Sequence, residues 1–266
     1  MTPEQITLAC AESAAARVGK LLRDKFQGEL EVTRKQEPGK YWADFVSEAD
    51  LAAEAEIVAE LQTYFPDDKI IAEEGSSEGN PQGERAWLVD PIDGTMNFIR
   101  GIPLWAVSIA CKDTQGLLAA CVYDPIRHEL FSALRGQGAF LNGKPLQAAH
   151  AEDLTAGLLV SHIGRDPRSG APRKRGMAEA IQHFGHRSLG SAALALAWTA
   201  SGRVDVTYYE CPLWEWDVAA GILICREMGL RADFLEPLES GLHPRLIAGP
   251  TELCQQLKAQ AQLLND

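Results

Sequence analysis

Asp90 and Asp93 stand three residues apart in "DPIDG", a Pro- and Gly-punctuated turn followed at once by Thr95. Two carboxylates held that close repel one another unless a cation or solvent screens them. Further acids stand at Glu73, which ends the short apolar run Ile70 to Ala72, and at Asp217 in "WEWDVAAG". These four side chains offer only hard oxygen donors, and no histidine or cysteine lies beside them in these motifs. Magnesium prefers that ligand type, whereas zinc or copper would recruit imidazole or thiolate. Gly94 and Thr95 open "GTMNFI", which can start a helix whose backbone N–H groups point at an anion. Cations beside an anion cradle are the apparatus of phosphate chemistry, able to polarise phosphoryl oxygens, hold an attacking water and stabilise a leaving oxygen.

The elements that must bring these residues together can be read from periodicity. Ile6, Cys10, Ala14, Val18, Leu21 and Leu22 recur at helical spacing between Pro3 and Phe26. "EVTRKQEPGKYWADFV" breaks that pattern and reads as an extended or hairpin segment ending near Asp44. Ser47 with Asp50 three residues on is a capping-box variant opening a second helix, which closes near Pro66. The run Ala86 to Val89 reads as a buried strand ending at Asp90, so Glu73 and Asp90 both sit at strand ends and can converge. "LWAVSIAC", "GLLAACVYD", "ELFSAL" and "GQGAFLNGKPLQ" predict an antiparallel meander. Beyond it, strand-like "TAGLLVSHI", "VDVTYYE" and "PRLIAGP" alternate with helix-like "GSAALALAWTASG" and "WDVAAGILICREMG" before a final helix from Thr251. Such alternation predicts an α/β layer architecture, with an N-terminal half over 1–145 and a second half over 146–266.

Composition excludes several classes. Hydrophobic residues make up 46% and charged residues 23%, and no apolar run reaches membrane-span length, so a soluble protein with no membrane partner is expected. The N-terminal residues lack a basic start followed by an apolar stretch and a cleavage site. A net charge of −12 argues against broad nucleic-acid binding, although cations can reverse the local sign for a small anion. The six cysteines contain no CxxC pair and mostly lie in apolar strings, as expected of buried thiols in a cytoplasmic protein.

"WLVDPIDGTMNF" and "WEWDVAAG" resemble the two signatures of the inositol monophosphatase family, and "ADFVSEAD", "AEEGS", "GAFLNGKPL" and "LGSAAL" resemble its intervening segments in the same order. The resemblance implies a five-layered α/β/α/β/α sandwich, a homodimer, and a phosphomonoesterase using two or three Mg2+ ions. Carried over by position, it implies that Glu73, Asp90 and the Ile92 carbonyl hold one metal. Asp90, Asp93 and Asp217 would hold a second. Asp44, Glu73 and Thr95 would position and activate the nucleophilic water, with Asp44 next to Thr95. Asp93 and the amides of Gly94 and Thr95 would take the phosphate, and Gly190, Ser191, Ala192 and Glu210 the alcohol. On spacing alone, Asp44 reads equally well as a turn or capping aspartate. The implied substrate is a small polyol phosphomonoester, inositol monophosphate first, with histidinol phosphate as the alternative. A catalytically silent metal-binding or regulatory relative is the alternative of a different class. Leu230 stands where a second glycine is common, and neither Lys35 nor Lys40 can be assigned a role.

Overall fold

The computed structural model describes residues 1–35, 44–75, 79–162, 181, 184–210, 213–235 and 245–263. Helix α1 (Pro3–Lys25) starts from a capping box in which Thr2 and Gln5 satisfy each other's backbone N–H groups. Its buried face carries Cys10, Ala11, Ala14, Ala15, Val18 and Leu22. A two-stranded antiparallel hairpin, β1 (Val32–Lys35) and β2 (Asp44–Ser47), leads into α2 (Glu48–Tyr64), where Ser47 and Asp50 form the expected box.

The main sheet has seven strands in the order in which they occur along the chain. They are β3 (Lys69–Ala72), β4 (Ala86–Asp93), β5 (Ala106–Asp113), β6 (Gly116–Asp124), β7 (Glu129–Leu134), β8 (Ala139–Leu141) and β9 (Lys144–Pro145). Only β3 and β4 pair in parallel; β4 through β9 form the antiparallel meander. The two-residue side-chain period divides the sheet between two cores. Trp87, Val89, Val107, Ile109, Cys111 and Cys121 face α1 and α2. Leu88, Ala106, Ala110, Ala120 and Val122 face the opposite way, onto α4 (Ala192–Ala200) and α5 (Glu215–Glu227). Small side chains let this middle layer close tightly: a Cβ at Gly221 of α5 would stand 2.4 Å from Leu196 Cβ of α4.

On the far side of α4 and α5 lies a five-stranded mixed sheet in the order β11-β10-β12-β14-β13. Its strands are β10 (Leu158–His162), β11 (Gly185–Arg187), β12 (Val206–Tyr209), β13 (Arg231–Phe234) and β14 (Leu246–Gly249). Leu159, Val206, Tyr208 and Ile247 on its outer face pack with Leu253, Cys254 and Leu257 of α6 (Thr251–Leu263). The layers therefore run α1/α2, seven-stranded sheet, α4/α5, five-stranded sheet, α6, the expected α/β/α/β/α sandwich.

Three details depart from the sequence reading. Strand β4 continues through Asp90 to Asp93 instead of ending at Asp90, and the turn falls at Gly94, ahead of the short helix α3 (Thr95–Ile99). Strands β11 and β13 were not foreseen; Arg231–Phe234 pairs antiparallel with β14. The described cysteines, Cys10, Cys111, Cys121, Cys225 and Cys254, are free and buried, and Cys211 lies outside the described residues, as does the basic stretch 171–176. No described helix is long and apolar enough to cross a membrane.

Candidate active site

The parallel pairing of β3 and β4 places Ala72 beside Val89, so the residues that follow, Glu73 and Asp90, emerge side by side. Glu73 keeps the pairing going by donating its N–H to the Val89 carbonyl at 3.1 Å. On a regular strand, residues 90 and 93 would point to opposite faces, because they are an odd number apart. The β4–β5 register shifts between Asp90 and Asp93, an irregularity of the kind that re-aims side chains. Both carboxylates consequently line one cavity of about 210 Å³, together with Glu73, Thr95 and Asp217.

Asp90, Asp93 and Asp217 are oriented by backbone donors. Asp90 Oδ1 accepts from Ile92 N at 3.0 Å. Asp93 reaches across to the start of α4, accepting from Ala192 N at 3.2 Å, Ala193 N at 2.8 Å and the Ser191 hydroxyl. Ser191 in turn caps α4 by accepting from Leu194 N. Asp217, in the first turn of α5, accepts from Trp214 N at 2.8 Å. The N-termini of α4 and α5, with their partial positive charge, thus support two of the acids.

Two glycines permit the close approach of these segments. Gly94 has φ 101°, and a Cβ there would meet Leu104 O at 3.0 Å and Gly190 O at 3.2 Å. Gly190, at φ 72°, abuts Asn97, whose amide donates to Leu104 O at 2.6 Å and Leu189 O at 2.7 Å. Asn97 ties the segment around Leu104 to the α4 loop. Sequence reading passed over it, having no signal beyond its place inside the motif.

The Thr95 hydroxyl donates to Asp50 Oδ1 at 3.3 Å and to Ile92 O at 3.1 Å. Asp50 is fully buried, and its Oδ2 accepts from Ser47 N at 2.8 Å and Ser47 Oγ at 2.5 Å. The expected pairing of Asp44 with Thr95 falls on a side chain outside the described residues. Asp44 pairs through its backbone with Lys35, and among the described side chains the carboxylate against Thr95 is Asp50. The signal for Asp50 was present as the capping box, but a cap already explained it.

Gly94, Gly190, Ser191 and Ala192 line the cavity as expected, and so does Ile92. Glu210 is not on the wall formed by the described residues. Its carboxylate accepts the Tyr208 hydroxyl and lies 3.9 Å from the Arg245 guanidinium. His162, Tyr209 and Leu213 form that end of the wall instead. The His162 and Tyr209 rings are stacked at 6.1 Å, and the Tyr209 hydroxyl donates to Ser191 O.

The electrostatics are those of crowded buried acids. Burial, followed by the charges of Glu73, Asp93 and Asp217, holds the Asp90 carboxyl well above the usual range. Burial also raises Asp93 to about 6, against the lowering pull of the Ser191, Ala193 and Ala192 hydrogen bonds. Glu73 is raised by burial and shares a hydrogen bond with Asp90. Glu74, beside it, is pushed up to about 7 by burial. Asp50 is likewise raised by burial. The one described cation against these acids is Lys35, 3.3 Å from Glu73 Oε1 and 2.7 Å from Glu74 Oε1.

A hard divalent cation suits this donor set, which consists of buried, mutually repelling carboxylates and one carbonyl around a single cavity. Among the described residues, no three acid, histidine or cysteine side chains are closed into a ready-made coordination sphere. Glu73 leans to Lys35, Asp93 to the α4 amides and Asp217 to Trp214 N.

A family model described as the inositol monophosphatase family matches residues 4–263. The Nus factor SuhB of Pseudomonas aeruginosa is 39% identical over 237 residues, spanning 82% of this chain and 83% of the relative. The inositol-1-monophosphatase of Mesorhizobium japonicum is 38% identical over 233 residues, spanning 86% and 84%. The crystal structure of the suppressor protein SuhB from Bartonella henselae superposes with a TM-score of 0.85 at 31% identity, over 97% of this chain and 98% of that one. With signatures, layers and acidic cavity in agreement, this chain belongs to the inositol monophosphatase family.

Proposed function

We propose that the chain is a magnesium-dependent phosphomonoesterase acting on a small polyol phosphate, with inositol monophosphate the first candidate. The observation that carries this reading is the β4 irregularity, which turns Asp90 and Asp93 onto one cavity with Glu73, Asp217 and Thr95. Glu73, Asp90, the Ile92 carbonyl, Asp93 and Asp217 would hold the cations. When bound, Mg2+ ions supply charge to polarise the phosphoryl oxygens, lower the pKa of a water and stabilise the leaving oxygen.

The chain's own part is positioning and proton handling. Thr95 donates its hydroxyl proton toward Asp50 and Ile92 O, which leaves oxygen lone pairs to accept from an attacking water. Asp50, fixed by two hydrogen bonds from Ser47, is the carboxylate that takes up that proton demand. Glu73, on the other side of the cavity, orients the same water. Gly94 and Thr95 amides face the phosphate, and Gly94 can take its place only as glycine. Ser191, Ala192 and the stacked His162 and Tyr209 would meet the alcohol. Contact from Glu210 would require its carboxylate to leave the Tyr208 hydroxyl.

A cytoplasmic location is supported by the free buried thiols. A homodimer rests on the family resemblance alone. The similarity to relatives named Nus factor supports a second reading, a regulatory protein that retains the fold. Phosphate release across a panel of phosphomonoesters, with Mg2+ and with EDTA, separates the two. Release that requires Mg2+ supports the enzyme; no release from any ester supports the regulator.

A further inference from the structure

Lys35 lies on β1, outside the segments that carry the motifs, yet its ammonium enters the acidic cluster. It stands 3.3 Å from Glu73 Oε1 and 2.7 Å from Glu74 Oε1, with only 18% of its side chain exposed. Glu74 is more deeply placed, at 3% exposure, and its backbone N–H is pinned by Glu54 Oε2 at 2.7 Å. Of these two carboxylates Glu74 lies nearer the ammonium, which from there reaches the carboxylate expected to ligate a metal.

We propose that Lys35 is a built-in counter-ion of the metal site, whose ammonium neutralises Glu73 in the metal-free protein and must yield that carboxylate when a divalent cation binds. The inference rests on the metal-dependent reading given above and adds a consequence for it. Without a metal, the ammonium, 3.3 Å from Glu73 Oε1 and 2.7 Å from Glu74 Oε1, is the opposite charge that makes these neighbouring buried carboxylates tolerable. A divalent cation taking Glu73 competes with that ammonium for the same oxygen and is repelled by it. Lys35 thereby sets the metal concentration at which the site fills. Glu74 retains the lysine nearby, so the ammonium returns when the metal leaves.

Among the described residues, Glu73 Oε1 is engaged by Lys35 at 3.3 Å. A residue with a purely structural role would weaken metal binding when replaced. A competing counter-ion does the opposite.

The test is direct titration of the full chain with Mn2+, followed by isothermal calorimetry and by the EPR signal of free Mn2+, for wild type, Lys35→Met and Lys35→Arg. Methionine keeps the length and apolar stem but removes the charge; arginine keeps the charge. Lys35→Met is expected to bind Mn2+ on the order of tenfold more tightly, and Lys35→Arg to stay within a few-fold of wild type. In EDTA, Lys35→Met should melt lower than wild type and gain more from added Mn2+, because ligand-linked stabilisation grows with affinity. Equal or weaker Mn2+ binding by Lys35→Met, with wild type binding normally, overturns the counter-ion role alone. A wild-type chain that takes up no Mn2+ overturns both this role and the metal-dependent function. If Lys35→Met fails to fold, the neutral Lys35→Gln carries the same expectation.

Discussion

Asp93→Asn should change how stability depends on pH in the absence of metal. Burial raises the Asp93 carboxyl from 3.8 to about 6, so the folded chain holds that proton more tightly than the unfolded chain does. The associated stability is fully present below 3.8 and is lost as pH rises through about 6. A shift of about two units is worth about 3 kcal/mol at about 1.4 kcal/mol per unit. Roughly half of this falls between pH 5 and pH 8, since the unfolded group is already titrating below that window. Asparagine has no proton to lose. The perturbed histidines oppose the trend, because burial lowers His150, His162 and His186, but they are common to both proteins and cancel in the difference. In EDTA, the melting temperature of wild type minus that of Asp93→Asn should therefore fall by about 3–6 °C from pH 5 to pH 8, at about 2–4 °C per kcal/mol for a chain of this size. Differential scanning calorimetry of the two proteins reads this directly. Parallel pH profiles would refute the claim that Asp93 is a buried acid held against its charge.

Asp50→Asn should lower kcat by about 10² or more with little change in KM, because it disturbs a proton relay that matters in the transition state. Steady-state kinetics checks this; an effect of Asp50→Asn on KM alone would withdraw the relay. Asp217→Asn keeps an acceptor for Trp214 N, so its melting temperature should stay near wild type while the rate falls by about 10² to 10³. Gly94→Ala should cost about 1–2 kcal/mol for the positive φ, more if Leu104 O cannot move, and should abolish phosphate release. Thermal melts with the phosphate assay decide that case.

The fold was legible where a local period sufficed. The meander β5 to β9, with its small residues alternating toward α4 and α5, could be read strand by strand, as could the cap of α2. Strands β11 and β13 could not, because each is three or four residues with pairing set by distant partners, not by its own pattern. That Glu73, Asp90, Asp93, Thr95 and Asp217 come to one cavity was legible because they lie in motifs and at element ends. Asp50 was missed because one carboxylate does two jobs: its Oδ2 satisfies the cap and its Oδ1 meets Thr95. Only tertiary packing of α2 against the start of α3 reveals the second. Glu210 has its carboxylate engaged by the Tyr208 hydroxyl and 3.9 Å from Arg245, contacts that its own motif does not show. The lysine partner of Glu73 was unassignable from sequence because β1 lies 38 residues away and reaches the site only through folding.

The central claim is that water activated in this acidic cavity attacks phosphorus and that the step requires a divalent cation. Hydrolysis of the best phosphomonoester in H2(18)O, analysed by mass spectrometry, tests it. The account predicts one labelled oxygen in the released phosphate, none in the alcohol, and no release in EDTA until Mg2+ is restored. Label in the alcohol, or phosphate release unchanged by EDTA, would contradict it.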